Sequence, residues 1–138
     1  MRPALFHDIP PALESSSITL VNDGRWQVGV PLTPYAARWW GCQTDWCTSW
    51  DEPAFHVYIR SGHLIVFRIL DRDVNGSQAW QLHAASGEFR DACNRRASWR
   101  GFLSRHPEMA SALLAAVAIR LNPELVTQSD AAPVDRTR

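Results

Sequence analysis

The chain has 138 residues, 46% apolar and 20% charged, and its formal net charge is zero. That length fits one domain with enough apolar material for its own core, so disulfide staples are not required. Zero net charge removes the global field that draws in nucleic acid or anionic membrane, and the longest apolar run, within 110–119, is too short to cross a bilayer. The opening MRPALFHDIPPAL has no apolar stretch of signal-peptide length, so the expectation is a soluble, cytoplasmic protein. Its three cysteines, Cys42, Cys47 and Cys93, are then free thiols.

Residues 1–17 carry three prolines and Ser15-Ser16-Ser17, and no period, which predicts an irregular arm. In ITLVNDGRWQVGV two apolar runs flank Asn22-Asp23-Gly24, the pattern of a hairpin whose glycine takes a positive φ. Next, Thr33 can cap a helix, Pro34 suits its first turn and Gly41 its end, which predicts a helix over 34–40. TDWCTS reads as an extended piece or tight turn. DEPAFHVYIRSG predicts a second helix, with acids first, Pro53 in the first turn and Gly62 as terminator; Phe55, Tyr58 and Ile59 share one face.

HLIVFRILD is the clearest strand, dense in β-branched and aromatic residues. Asn75-Gly76 signals a hairpin, and QAWQLHA returns with Trp80 and Leu82 on one face, Gln81 and His83 on the other. Residues 86–96 mix strand and loop character. Pro107 then divides a helical stretch into about 99–105 and about 108–121. In the second helix Ala110, Leu113, Leu114, Val117 and Leu121 form an apolar stripe. Residues 126–138 have no apolar pattern and read as a disordered tail. The order implies a single α+β domain over 18–125: a small antiparallel sheet with a central hairpin near 63–84, flanked by short helices and a C-terminal helix pair.

Two compositional features stand out. All fourteen basic residues are arginine, as in proteins from GC-rich genomes or in chains selected for bidentate pairing. Seven tryptophans mark a core or a recognition face.

Thr44-Asp45-Trp46-Cys47-Thr48, a helix ending at Tyr58 and Gly62, the strand HLIVFRI and Trp80-Gln81-Leu82-His83 form an ordered series. It resembles a domain of uncharacterised phage and mobile-element proteins, with the pattern T-x-W-C-[TI], a tyrosine, G-x-L-x-[VI] and Y-Q-[LF]-H. Trp80 stands where that pattern has tyrosine. The series also resembles, more distantly, the C-terminal region of the PcfJ-like proteins of conjugative plasmids. The likeness spans about residues 26–100. It implies a mobile-element origin and a shared fold, and supplies no reaction.

Four groups of residues are candidates for chemistry. Cys47 precedes a predicted helix and has histidines to draw on, so it could be a nucleophile with His83 or His56 as base and Arg68 or Arg90 holding an anionic substrate. The opposing reading is an ordinary buried cysteine between Trp46 and Thr48. Cys42, Cys47, His56 and His63 could supply four zinc ligands, but both spacings are wider than structural zinc sites use, so no metal and no cofactor is expected. Arg90, Arg95, Arg96, Arg100 and Arg105 fall within sixteen residues that also hold Trp99 and one acid, Asp91. That cluster is either a phosphate-binding patch or a solvated face paired with Asp71, Asp73 and Glu88. Trp39, Trp40, Trp46 and Trp50 cannot all point inward; adjacent Trp39 and Trp40 diverge by about 100° on a helix, which leaves one partly exposed as a partner anchor. The favoured expectation is a small interaction module that binds a protein or nucleic-acid partner of the host cell, using Arg90, Arg95, Arg96, Trp99, Arg100, Arg105, Trp39 and Trp40. Inhibition of a host defence complex is its narrowest version, and a cysteine-dependent acyl or group transferase is the alternative.

Overall fold

Asp23 and Gly24 make the first hairpin. The Asp23 carboxylate accepts the N–H groups of Trp26 at 2.8 Å and Arg25 at 3.0 Å, and Gly24 sits at φ +91°. Those two bonds, Trp26's first, hold the Asp23 carboxyl below the usual carboxylate range. The strands on either side are β1 (Ser17–Asn22) and β2 (Trp26–Pro31). The structure, a computed structural model, describes residues 9–42, 44–70 and 78–119. The tail 126–138, Leu121, Asp71, Asp73 and the expected Asn75-Gly76 turn lie outside them.

The central pair forms as expected. β3 (Leu64–Ile69) runs antiparallel to β4 (Gln78–His83), from Leu64 opposite His83 to Ile69 opposite Gln78. With β5 (Phe89–Asp91) they complete a five-stranded antiparallel sheet in the order β1-β2-β3-β4-β5. The protein is an α+β fold.

Strand alternation gives the sheet two buried faces. One carries Trp26, Val28, Val30, Ile65, Phe67, Leu82 and Phe89, and is covered by α5 and α6 through Phe102, Met109, Ala112 and Ala116. Here α5 is Trp99–Arg105 and α6 is Ala110–Ala118, joined by a 3-10 turn over Pro107–Met109. The other face is covered by α1 (Pro11–Glu14), α2 (Pro34–Trp40), α3 (Cys47–Trp50) and α4 (Glu52–Ser61), through Leu13, Ala36, Trp40, Trp46 and Phe55.

α2 and α4 follow their sequence signals. Thr33 Oγ1 accepts the Ala36 N–H at 3.1 Å and Pro34 opens α2. Gly62 ends α4, with Phe55 buried and Tyr58 and Ile59 packed beside it. Gly29 lets α2 close on the sheet, since a Cβ there would fall inside the Trp40 ring. Trp40 Nε1 donates to Ser17 Oγ at 3.0 Å.

Three expectations need correction. The arm expected over 1–17 holds helix α1, whose Leu13 is fully buried, and Ser17 already belongs to β1. Of the two readings of TDWCTS, the extended piece is overturned and the tight turn holds: the Ser49 N–H bonds Trp46 O and the Asp51 N–H bonds Cys47 O. Buried Trp46 on one side and buried Thr48 and Ser49 on the other pull those four residues into the turn. The stripe on α6 is misplaced. Met109, Ala112 and Ala116 are buried, Ala110 is exposed, and Leu114 and Val117 are 70% and 51% exposed. The sheet beneath is already filled with aromatic rings, so the helix presents alanines, which let its backbone come close.

Candidate functional site

A small cleft of about 20 Å³ opens at the β4–β5 edge of the polar face, enough for about one water. Cys47 and Thr48 come from α3, Tyr58 from α4, Gln81 and His83 from β4, and Glu88 from the approach to β5. Helical spacing in α4 turns Tyr58 to the sheet, and alternation in β4 places Gln81 and His83 on the same side.

Polar groups in the cleft are bonded to one another. Tyr58 Oη donates to Glu88 Oε1 at 3.2 Å, while Glu88 Oε2 takes Arg90 Nε at 2.8 Å and Nη2 at 2.7 Å. Arg90 Nη1 donates to Asn94 O at 3.1 Å. Burial first, and then the adjacent Glu88 charge, push the Tyr58 hydroxyl above the usual phenol range. Gln81 and Thr48 bond at 3.2 Å.

The structure brings Cys47 and His83 to one cleft, with the Cys47 residue exposed. His83 is tied down on both nitrogens. Its Nε2–H donates to Tyr58 O at 2.9 Å, which leaves Nδ1 to accept the Ser86 hydroxyl at 2.8 Å. That tautomer has no lone pair left for the Cys47 thiol. His56 lies on α4, with its ring 5.7 Å from Phe55, and does not line the cleft. His63 is buried and its Nε2–H donates to Ala116 O at 2.8 Å, fastening β3 to α6. Among the described residues no group of three histidine, cysteine or acidic side chains is placed to hold a metal ion.

The arginine cluster divides in two. Arg90 belongs to the cleft network. Arg95 pairs with Asp91 at 3.1 Å, and Asp91 also accepts the Cys93 and Arg95 N–H groups, shaping a tight loop closed by Asn94 at φ +64°. Among the described residues Arg96, Arg100 and Arg105 form no ion pair, and all three are exposed. Ser98 Oγ caps α5 by accepting the Gly101 N–H at 3.0 Å. Next to it Trp99 is 39% exposed, with the Arg100 guanidinium 5.6 Å from its ring centroid. Arg105 stands about 120° around the helix from Trp99 and folds over Gly101, so it leaves this patch.

The tryptophans also separate. Trp40 and Trp46 are fully buried, and Trp46 Nε1 donates to Asp91 O at 2.7 Å. Trp39 is half-buried against Trp40, and Trp50 is 56% exposed with Nε1 donating to Thr44 O at 2.9 Å. Arg68, a candidate substrate clamp in the sequence, is only 5% exposed on the polar face and does not line the Cys47 cleft. Tyr58 and Glu88 are the site residues missed as a pair. They stand thirty residues apart on different elements, and no local pattern links them.

Comparison with protein-family models, with curated proteins and with solved structures returns no match for this chain.

Proposed function

We propose that the chain is a small binding module whose partner is a protein with an acidic surface, engaged through Arg96, Trp99 and Arg100 at the start of α5. The observation that carries this reading is Trp99, a large aromatic residue held partly in solvent beside a guanidinium that has no ion pair among the described residues. Tryptophan and arginine are the side chains that most often anchor protein interfaces. A few free arginines on a chain of zero net charge supply little phosphate neutralisation, which favours a protein over a nucleic acid. The resemblance to phage and conjugative-plasmid domains supports a mobile-element origin, with a host protein complex as partner and inhibition of host defence as the narrowest version.

A second reading, group transfer at Cys47, has the exposed thiol in its favour and the two committed nitrogens of His83 against it. The deciding experiment is affinity capture from host lysate with and without nuclease, using wild type and the double variant Arg96→Glu, Arg100→Glu. Nuclease-resistant capture that the double variant loses, with its circular dichroism unchanged, is expected. Unchanged capture by the double variant rules the patch out, and capture lost to nuclease assigns the partner to nucleic acid.

A further inference from the structure

Two features on the β1 side of the sheet have no partner among the described residues. The first is backbone. β1 pairs with β2 alone, so the N–H and C=O groups along its outer edge face no strand. Its sequence, SITLVN, holds no charged residue and no proline, the residues that commonly block edge-to-edge pairing. A bulge between Thr19 and Val21 does blunt the strand. It divides the regular backbone into short pieces, so pairing along β1 needs support from side chains.

The second feature supplies apolar side chains. α6 lies against β1, and its buried side holds the small residues Ala112 and Ala116. The large residues Leu114 and Val117 are left exposed. Little dilutes them, since Ser111 is the only polar side chain in ASALLAAVA. An ordinary surface helix turns charged and polar residues to water, and a helix apolar all round is one that is covered all round.

We propose that the β1 edge and the outer side of α6 together form the docking surface for a second copy of this chain. A two-fold axis perpendicular to the sheet sets β1 antiparallel to the same strand of the partner, and the two sheets become one. That axis keeps both α5–α6 layers on one side of the joined sheet, so α6 meets its counterpart and the exposed leucines and valines are buried together. Charge favours a second copy over another protein. The net charge is zero, so two copies do not repel, and a strand without charges can face itself with no like pair opposed. β1 and α6 hold six and nine residues, fewer than the ~20–30 that each side of a standard interface uses. The dimer is therefore one that dissociates on dilution. It leaves the arginine patch free, because Arg96 bridges to Arg90 in β5, at the opposite edge of the sheet.

The test is sedimentation equilibrium of the full chain over a range of concentrations. A dimer at about 100 µM that shifts towards monomer on dilution is expected. Leu114→Glu with Val117→Glu changes two exposed positions, so circular dichroism should be unchanged while the dissociation constant rises at least about tenfold. Thr19→Lys puts a charge on an exposed position of the edge strand and should weaken the dimer too. The double variant Arg96→Glu, Arg100→Glu should dimerise as wild type does, which separates this proposal from the partner-binding patch. Wild type that stays monomeric at about 100 µM overturns the proposal. So does a dimer that either the α6 variant or Thr19→Lys leaves unchanged, or one that the arginine variant abolishes. Monomeric wild type with β1 amides protected from hydrogen exchange also overturns it, and assigns the edge to another segment of the same chain.

Discussion

The two faces of the sheet are filled by different chemistry. Beneath α5 and α6 the contents are aromatic rings and aliphatic side chains. Phe102 alone lies within about 6 Å, centroid to centroid, of Trp26, Phe67, Trp80, Phe89 and His106. Beneath α1 to α4 the sheet buries Gln27, Arg68, Gln81 and His83, each hydrogen-bonded to a helix, a neighbouring strand or a loop. An apolar face gains stability from close packing in any direction, whereas a polar one does so only if each donor finds its acceptor. Among the described residues, the Cys47 cleft and the unpartnered buried Nε–H of Arg68 both lie on the polar face.

The sharpest way to break this contrast is at Phe102. Phe102→Ala removes the ring at the centre of the aromatic cluster and should cost about 3–5 kcal/mol in chemical denaturation. A loss below about 1 kcal/mol would show that the apolar face is not the main source of stability. On the other side, Gly29→Ala drives a methyl into the Trp40 ring, and the expected loss is smaller, about 1–3 kcal/mol, because α2 can shift outward. Tryptophan emission of the folded variant should change with it; a variant as stable as wild type would mean that Trp40 is not seated against the strand.

The smallest effect is a pH dependence confined to the apolar side. Burial among Trp26, Trp80 and Phe102 lowers the His106 pKa, with Glu108 opposing. A depressed folded value means that the unfolded chain binds more protons in the window between that value and about 6.5. Stability then rises with pH through that window and falls on acidification from neutrality. Denaturation midpoints measured from pH 7 to pH 5 should show this slope, and His106→Gln should flatten it. An equal slope in both proteins would assign the effect to other groups.

Elements whose ends are written in a few adjacent residues were legible in the sequence. Asp23-Gly24 and Thr33-Pro34 set a turn and a cap through their own side-chain and backbone preferences, α4 stops at Gly62 as expected, and β3 and β4 paired as their patterns predict. The facing side of α6 was not legible, because counting large apolar residues picks Leu114 and Val117, while the packing selects the small Ala112 and Ala116. The cleft was legible only in part. Cys47 and His83 both line it, but the state of His83 is set by the Tyr58 carbonyl and the Ser86 hydroxyl. Among the arginines, the pairing of Arg95 with Asp91, four residues away, was open to sequence reasoning, and the enclosure of Arg68 beneath α2 was not.

The order of the strands has a kinetic consequence. Each strand neighbours the next in sequence, so the sheet can zip up through nearby contacts. The longest interruption runs from Pro31 to Leu64, and it contains α2, α3 and α4. Most of the cover of the polar side, α2 to α4, is thus an excursion between two adjacent strands, closed over a large loop and expected to dock late. Defects placed there should chiefly hasten unraveling and leave the rate of assembly almost untouched.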